Sequence, residues 1–457
     1  MRRFGLYIMV LLLIGQTSCS RYLDVKDKSE VVPKTAEEFS AILHTRLNNI
    51  EQASEYAFFG AYLNTLPFEF YTDNMDANLT ISERDIPEYV GSDINSLSGK
   101  FGSLYEVIKD CNIVLHELKE RDTEFGKKLL ATAYTMRAVC YYNLMRNFCE
   151  PYDKTRAGEQ LGVPLVEKFD MEGKPDRASL KATADFIIHD LKEALKLNQT
   201  DKQYLFYADV TNAYLARTYF WTQEWDLAAS TAKEVLDAYP LIRGDAYREM
   251  IQSEVERKGN ELIRSGTKQS EAYTRLYMQR SKQRPVSLDL VKLFMEKERD
   301  IRYTFFFDEQ FLNTKMLKTS VRAAEMCLVM AESYAHAGDE TNALRYLNHL
   351  RENRISEYVP YTAQNLPEVN TDALVKVDAT GKALTPLMSA ILNERRKELY
   401  LEFDRWYELK RNGSPVMWWG LSGVKYETAK FMYLFPIPKT DIALNSGLIQ
   451  NPGYEGL

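Results

Sequence analysis

Apolar residues recur at steps of three and four along most of this chain, which is the spacing of one face of a helix. Helix start signals agree with that spacing. Thr35 and Ser179 each stand just before such a segment, where a hydroxyl oxygen accepts hydrogen bonds from free backbone N–H groups. The pattern predicts an all-α fold. The predicted helical segments are 35–48, 98–121, 124–148, 179–197, 204–222, 226–239, the hairpin 322–354 and 389–411.

A sequence motif repeats within this helical pattern. Ala-Tyr-x-x-Arg begins at Ala133 and again at Ala213, 80 residues later. In the hairpin 322–354, alanines surround Tyr334 at the same spacing as around Tyr219. Small residues let two helices approach closely while an aromatic ring fills the adjacent groove, as in tetratricopeptide units of about 34 residues. The chain is therefore predicted to contain about four tetratricopeptide-like helical hairpins, with long irregular loops between them.

The segment 389–411 has neither Pro nor Gly and is predicted to be one helix. One face is apolar, and the other holds Glu398 and Glu402 one turn apart. Arg395 and Arg405 stand three residues outside that pair and are predicted to compensate its charge. The interpretation is a charged scaffold helix. The alternative is a carboxylate pair for glycoside cleavage, because adjacent turns bring carboxyl groups within the about 5–9 Å that this chemistry uses.

Other segments have weaker periodicity. Ser287 is predicted to cap a helix that ends near Arg302, and the aromatic segment 303–312 reads as a strand. Pro, Gly, Asn and Asp interrupt three further stretches, and loops of that length in a compact domain are often functional. These predicted loops are the later part of 55–99, 151–177 and 355–384.

Composition fits a globular protein with a substantial core, since 45% of the residues are hydrophobic and 27% are charged. The net charge is −7, and no basic stripe stands out. Both observations argue against nucleic acid as a partner, because a phosphate backbone requires clustered cations.

The N-terminus has the pattern of an export signal. Arg2 and Arg3 precede an apolar run, 4–14, that is too short to cross a bilayer. Small residues then lead to Cys19, which is the pattern of a bacterial lipoprotein signal whose cleavage leaves Cys19 to carry the lipid, including palmitate. The alternative is an ordinary signal peptide with an incidental cysteine. The predicted divisions are a signal peptide at 1–18, the lipidated cysteine and a tether at 19–34, and a single domain at 35–457 with halves ending near 240 and beginning near 285.

No motif predicts a metal, a cofactor or an enzyme. HExxH, GxSxG and nucleotide-binding patterns are absent from the sequence. Asp73, Asp76 and Asn78 could offer oxygens to Ca²⁺, but they are too few and lack the spacing of a calcium loop. The remaining cysteines have no CxxC spacing and are predicted to be buried thiols: Cys111, Cys140, Cys149 and Cys327.

Several motifs occur in a specific order along the chain. They are Cys19 with Tyr22-Leu23-Asp24, Thr72-Asp73-Asn74, Val286 to Leu290, Asp300-Ile301-Arg302, Glu394 to Leu399, Phe403 to Trp406, Phe435 to Pro438, and Gln450 to Tyr454. This ordered set resembles the SusD/RagB family of outer-membrane nutrient-binding lipoproteins. The resemblance implies a SusD-like helical fold, exposure at the cell surface, and a partner transporter of the TonB-dependent SusC type. It also implies capture of oligosaccharides, or of peptides in some members.

A protein that binds a sugar needs flat aromatic faces for C–H surfaces and a few polar groups for hydroxyls. Three loop regions offer both. The candidate ligand-binding residues are Phe70, Tyr71, Asp73, Asn74, Tyr89, Tyr273, Tyr277, Trp418 and Trp419. For each of them the alternative is burial in the core or contact with the transporter.

The predicted function is therefore that of a cell-surface lipoprotein, anchored in the outer membrane, that captures oligosaccharides for a SusC-like transporter. One alternative is a repeat scaffold that binds peptides, which a concave helical groove would mark. A second, less favoured alternative is a glycoside hydrolase that uses Glu398 and Glu402.

Overall fold

A computed structural model of the chain describes residues 33–55, 62–78, 86–168, 170 and 173–455. The predicted signal peptide, Cys19 and most of the predicted tether lie outside these residues. No helix in the described ranges is both long enough and apolar enough to span a membrane.

Helices dominate the fold, as the apolar spacing predicts. In chain order they are α1 (Ala36–Glu51), α2 (Tyr62–Phe70), α3 (Val90–Leu97), α4 (Lys100–Glu117), α5 (Glu124–Phe148), α6 (Leu180–Lys196), α7 (Ala208–Trp221), α8 (Trp225–Ala238), α9 (Gly244–Gln252), α10 (Glu271–Ser281), α11 (Leu288–Val291), α12 (Ala323–His336), α13 (Glu340–Glu352), α14 (Pro386–Glu398), α15 (Arg405–Arg411) and α16 (Lys439–Leu444). Short 3₁₀ turns occur at Lys202–Tyr204, Lys297–Arg299 and Lys430–Tyr433.

The strands are short and form three separate antiparallel pairs. They are β1 (Leu161–Pro164) with β2 (Arg177–Ser179), β3 (Glu261–Arg264) with β4 (Ser320–Arg322), and β5 (Trp418–Leu421) with β6 (Val424–Glu427). Each pair lies in or beside a connection between helices, so the sheets hold loops in place and the helices carry the core.

The helices stack as successive hairpins. α4 packs on α5 and α5 on α6, and α7 pairs with α8, which packs on α12 of the hairpin α12–α13. Small residues at the contacts make this possible: Ala216 and Ala228 are fully buried where α7 meets α8. The rings of Tyr334 and Tyr346 stack between α12 and α13 at 5.7 Å. The prediction of tetratricopeptide-like hairpins is confirmed.

The predicted helix starts also agree with the structure. Thr35 and Glu38 form a reciprocal capping box at the start of α1, and the Ser179 hydroxyl accepts a hydrogen bond from the Ala182 backbone N–H at the start of α6. A hydroxyl at this position satisfies a donor that no helical carbonyl can reach. Local sequence is therefore sufficient to place these boundaries.

The prediction of one helix over 389–411 is wrong. α14 ends at Glu398, α15 begins at Arg405, and the turn between them holds Leu401 and Phe403 at positive φ, 58° and 64°. The cause is tertiary, because cations from other segments bind carbonyls that a continuous helix would use. Arg322 donates to the Glu398 carbonyl at 2.7 Å, and Lys315 donates to the carbonyl of Tyr400.

Two further predictions, for segments 287–302 and 303–312, are wrong. Only α11 is helical within 287–302, apart from the 3₁₀ turn, and 303–312 is mainly turns. In the second segment Phe305, Phe306 and Phe307 are all buried. The folded turn lets these three rings reach different partners, which are Tyr247, Tyr400 and Phe294 respectively.

The core has two parts. The larger joins α1, the stacked hairpins and the C-terminal segment around Phe435. The smaller includes α9, Phe305 to Phe307, Met75 and Tyr400. Met75 lies in the loop 72–78, and Tyr400 follows α14, so the smaller core brings that loop to the end of α14.

Candidate ligand-binding site

A cleft of about 630 Å³ lies where four segments that are distant in sequence meet. Its floor is formed by α14 and α15, and its walls come largely from loops. The lining segments are 72–78, 287–293, 369–384 and 416–419, together with residues of α14 and α15. Its volume is within the about 300–1,000 Å³ that is usual for small-molecule sites.

Asp73 joins the first loop to the floor of the cleft. Arg405 donates two hydrogen bonds to its carboxylate, at 2.7 and 2.8 Å, and Arg396 lies 3.2 Å from the same group. Arg396 also donates to the Asp73 carbonyl and, at 3.0 Å, to Oδ1 of Asn74. Paired, planar contacts of this kind fix orientation as well as distance. They hold the 72–78 loop against α14 and α15.

Asp73 and Glu408, the two carboxyl groups that Arg405 binds, differ in their pKa. Burial alone would raise the pKa of Asp73, but the adjacent Arg396 and Arg405 outweigh burial and lower the pKa to about 2. Glu408 accepts a hydrogen bond from Arg405 at 2.8 Å, yet burial dominates and raises its pKa to about 7. Asp73 is therefore a permanent anion with two cationic partners, and its main role is to connect the loop to the floor.

The β5–β6 hairpin forms one wall. Side chains alternate along β5, so Trp418 is 44% exposed whereas the next residue, Trp419, is buried. Trp419 packs against Tyr89 with ring centroids 5.3 Å apart, and the backbone N–H of Gly420 donates to the Ala77 carbonyl at 3.0 Å. These contacts attach the hairpin to the first loop and leave the Trp418 indole at the cleft as an accessible aromatic surface.

The structure brings only part of the predicted ligand-binding set together. Asp73, Trp418 and Trp419 line the cleft, and Tyr89 lies behind Trp419. Tyr273 is half-buried, outside the cleft lining.

Burial separates five of the predicted residues from solvent. Phe70 and Tyr277 belong to the smaller core, and Tyr71 belongs to the larger one, where its hydroxyl donates to Asp93 at 2.7 Å. The Asn74 amide donates to Glu69 at 2.9 Å and accepts from Arg396. The five buried residues are Phe70, Tyr71, Asn74, Tyr277 and Trp419. Their burial assigns them to the fold, and the proposal below does not include them as ligand contacts.

Several polar residues line the cleft that the sequence did not single out as contacts for a sugar. They are Asp76, Asn78, Asp289, Lys292, Asn370, Asp372, Asn393 and Arg396. The sequence suggests Asp76 and Asn78 only as possible calcium ligands. Asn370 and Asp372 lie in the long predicted loop 355–384, whose richness in Asn and Asp is the signal that could have identified them. The residues on α14 carry no comparable local signal.

Glu398 and Glu402 are buried among cations. The Glu398 carboxylate receives Arg354 at 2.9 Å, Arg302 at 3.0 Å and Arg322 at 2.6 Å. Burial would raise its pKa, but these three guanidinium groups outweigh burial and lower it. A general acid in glycoside cleavage needs a raised pKa and access to the substrate. Glu398 has neither, which contradicts the hydrolase alternative as built on this pair.

The predicted compensation of that pair is also wrong in its partners. Arg395 donates to Asp404 at 2.8 and 2.6 Å, and Arg405 binds Asp73. Arg322 instead bridges the pair, donating to Glu402 at 2.7 Å and to Glu398. Because the helix is interrupted, Arg395 and Arg405 do not lie beside the pair. The compensating charge comes from Arg322, which is 80 residues before Glu402. The scaffold interpretation holds through different residues.

The four cysteines within the described ranges are buried and free. Burial raises the pKa of the Cys111 thiol, so this sulfur is protonated and unreactive at neutral pH. Among the described residues, no group of three or more His, Cys, Asp or Glu side chains is arranged to hold a metal ion.

Two family models match the chain. The model of the SusD family matches residues 312–454, and one described as "Starch-binding associating with outer membrane" matches residues 21–220. The chain is also similar to SusD-like protein P2 of Formosa agariphila, with 30% identity over 139 residues. That match covers 29% of this chain and a quarter of the length of the relative.

Solved structures share the fold over almost the whole chain. A SusD superfamily protein of Bacteroides thetaiotaomicron is 20% identical with a TM-score of 0.69, covering 92% of this chain and 100% of that one. A SusD superfamily protein of Bacteroides vulgatus is 18% identical with a TM-score of 0.70, covering 92% of this chain and 100% of that one. A laminarin-binding SusD-like protein is 18% identical with a TM-score of 0.61, at the same coverage. Taken with the matching family models, the stacked hairpins and the ordered motifs show that this chain belongs to the SusD/RagB family.

Proposed function

We propose that this protein is a lipoprotein of the outer membrane that binds an oligosaccharide in the cleft and passes it to a TonB-dependent transporter of the SusC type. The observation that carries this proposal is the exposed indole of Trp418 at a cleft that combines apolar side chains with amide, carboxyl and guanidinium groups. A sugar ring has an apolar C–H face and a polar edge, and it needs both kinds of contact at once.

The polar groups are suited to hydroxyl recognition. Asn393 and Arg396 lie one turn apart on α14 and both line the floor. Asn78 and Asn370 approach from two different loops. Amides can both donate and accept, as a sugar hydroxyl does, so they can satisfy a hydroxyl in either direction.

The proposal draws on similarity for its wider context. One fold relative is described as laminarin-binding, and the N-terminal family model is described as starch-binding and associated with the outer membrane. For this chain the lipid at Cys19, exposure at the cell surface and the transporter partner are proposals. The peptide-scaffold alternative is less well supported, because loops form most of the cleft walls, whereas a repeat scaffold would bind its ligand in a groove between helices.

The test is the change Trp418→Ala, with binding measured by affinity electrophoresis and calorimetry against soluble starch, laminarin and mannan. An aromatic side chain offers about 150–250 Å² of surface, so 44% exposure corresponds to roughly 100 Å². Covering half to all of that area with a sugar is worth about 1.3–2.5 kcal/mol. The variant should therefore bind about 10–70-fold more weakly, with an unchanged melting temperature.

Val424→Ala is the matched control, because Val424 is 51% exposed on the same hairpin but lies outside the cleft lining. This variant should bind like the wild type. Equal affinity of Trp418→Ala and wild type would remove the cleft from the proposal. Binding of unfolded peptides in place of glycans would favour the scaffold alternative.

A further inference from the structure

The charges that line the cleft are unbalanced. Five carboxyl groups and three cationic groups contribute to the lining: Asp73, Asp76, Asp289, Asp372 and Glu408, against Lys292, Arg396 and Arg405. A charged group affects a ligand strongly only where no opposite charge lies close to it, because the fields of two paired charges largely cancel at a distance.

The two arginines are matched within the floor. Both are buried, and they share the Asp73 carboxylate while Arg405 also binds Glu408. Their guanidinium groups are therefore largely neutralised before a ligand arrives. They remain good donors to a neutral hydroxyl, but they offer little net attraction to an anion.

The exposed rim differs from the floor. Lys292 lies 3.6 Å from Asp289, so that pair is matched. Asp76 and Asp372 lie on two separate loops, and within the described ranges neither carboxylate has a Lys, Arg or His nitrogen within 4 Å. The Asp76 carboxylate accepts a hydrogen bond from the Asn78 backbone N–H at 2.7 Å.

From this arrangement we infer that the cleft selects neutral glycans and rejects glycans that carry carboxylates or sulfates. Asp76 and Asp372 are the residues that set this preference, since they are the two lining carboxylates without a cationic nitrogen within 4 Å among the described residues. The inference rests on the proposed function, and it adds the charge class of the ligand. Two like charges near the sugar should weaken binding of an acidic glycan about tenfold or more at low salt.

The test compares each neutral polymer with its own oxidised form. The affinity of the protein for soluble starch, laminarin and mannan is measured before and after their C6 hydroxyl groups are oxidised to carboxylates. This oxidation leaves the backbone of each polymer unchanged. The wild type should bind the neutral form at least tenfold more tightly. Raising the salt concentration from about 0.05 to 0.5 M should lower this ratio of affinities, because salt screens the repulsion between the carboxylates of the protein and those of the glycan.

The double variant Asp76→Asn with Asp372→Asn should bind the oxidised polymer more tightly relative to the neutral one, so the ratio of the two affinities should fall. Asn retains the oxygen that accepts the Asn78 N–H, so the loop conformation is preserved. Glu106→Gln is the control, since Glu106 is exposed on α4 and lies outside the cleft lining. This variant should have the same ratio of affinities for the neutral and oxidised polymers as the wild type.

The outcomes separate the two proposals. Oxidised polymers that bind as tightly as neutral ones, or a ratio that the double variant does not change, overturn the inference about charge and leave glycan binding intact. Failure of every polymer, neutral and oxidised, overturns the proposed function and the inference with it.

Discussion

The charge network around Glu398 gives the sharpest test of the scaffold. Glu398→Gln keeps the size of the side chain but removes its charge and turns one carboxylate oxygen into an amide nitrogen. Oε2 accepts from Arg354 and Arg302, and Oε1 accepts from Arg354 and Arg322. Whichever oxygen is replaced, two donors then face another donor.

The loss of stability follows from burial. Glu398 and its three arginine partners are all fully or almost fully buried, so water cannot replace the lost contacts. Removing one partner from a buried charge pair costs about 3–5 kcal/mol, because the remaining charge is left without compensation. With an unfolding entropy of about 2.1 cal/mol/K per residue, that loss lowers the melting temperature by about 3–6 °C in a domain of this size.

Calorimetry and urea titration of Glu398→Gln measure this loss, and Glu124→Gln is the control. Glu124 pairs with Lys127 at the surface with its side chain 94% exposed, so its replacement should change stability by less than about 0.5 kcal/mol. If Glu398→Gln unfolds like the wild type, the network does not stabilise the domain and the reasoning from burial is wrong. A stable variant that had lost a glycan-cleaving activity would restore the hydrolase alternative.

Two further predictions concern acid stability and membrane attachment. The pKa values of Asp73, Glu394 and Glu332 are lowered to about 2: burial opposes ionisation of each, and neighbouring cations outweigh it. The unfolded chain therefore binds more protons than the native one between about pH 2 and 4.5. The melting temperature should fall steeply below about pH 4.5 for this reason. A melting temperature that stays constant from pH 5 to 3 would contradict the lowered pKa values. Glu408 has a raised pKa of about 7 and acts in the opposite sense, so little stability should be lost between pH 7 and 5. Cys19→Ser should move the protein from the membrane fraction to the soluble fraction of cells, and continued retention would exclude lipid at Cys19 as the anchor.

The helical hairpins could be predicted from sequence because their causes are local. The boundaries of α5 and α6 follow from Thr123 and Ser179, hydroxyl residues that each lie just before an apolar-periodic segment. Small residues such as Ala216 and Ala228 occur at the spacing that a close helix contact needs. Such signals act within a few residues of chain, so they can be read without knowing which segments meet.

The candidate site could be predicted only in part. Trp418 and Trp419 are adjacent and identical residue types in a loop region, so the sequence does not show which of them faces solvent. The alternation of β5 decides this, and pairing with β6 and contact with Tyr89 fix the register. The same limit applies to Phe70, Tyr71 and Tyr277, whose aromatic character suits a sugar site and a core equally well.

Sequence by itself determined the all-α class, the repeated hairpins and the order of motifs, because each depends on residues close together in the chain. Tertiary structure alone decided where α14 ends, which cations surround Glu398, and which loops meet around Trp418. These features depend on contacts between segments tens to hundreds of residues apart, such as Arg405 with Asp73, which are 332 residues apart. A buried charge adopts the conformation that its distant partners allow, even where the local preference is to continue a helix.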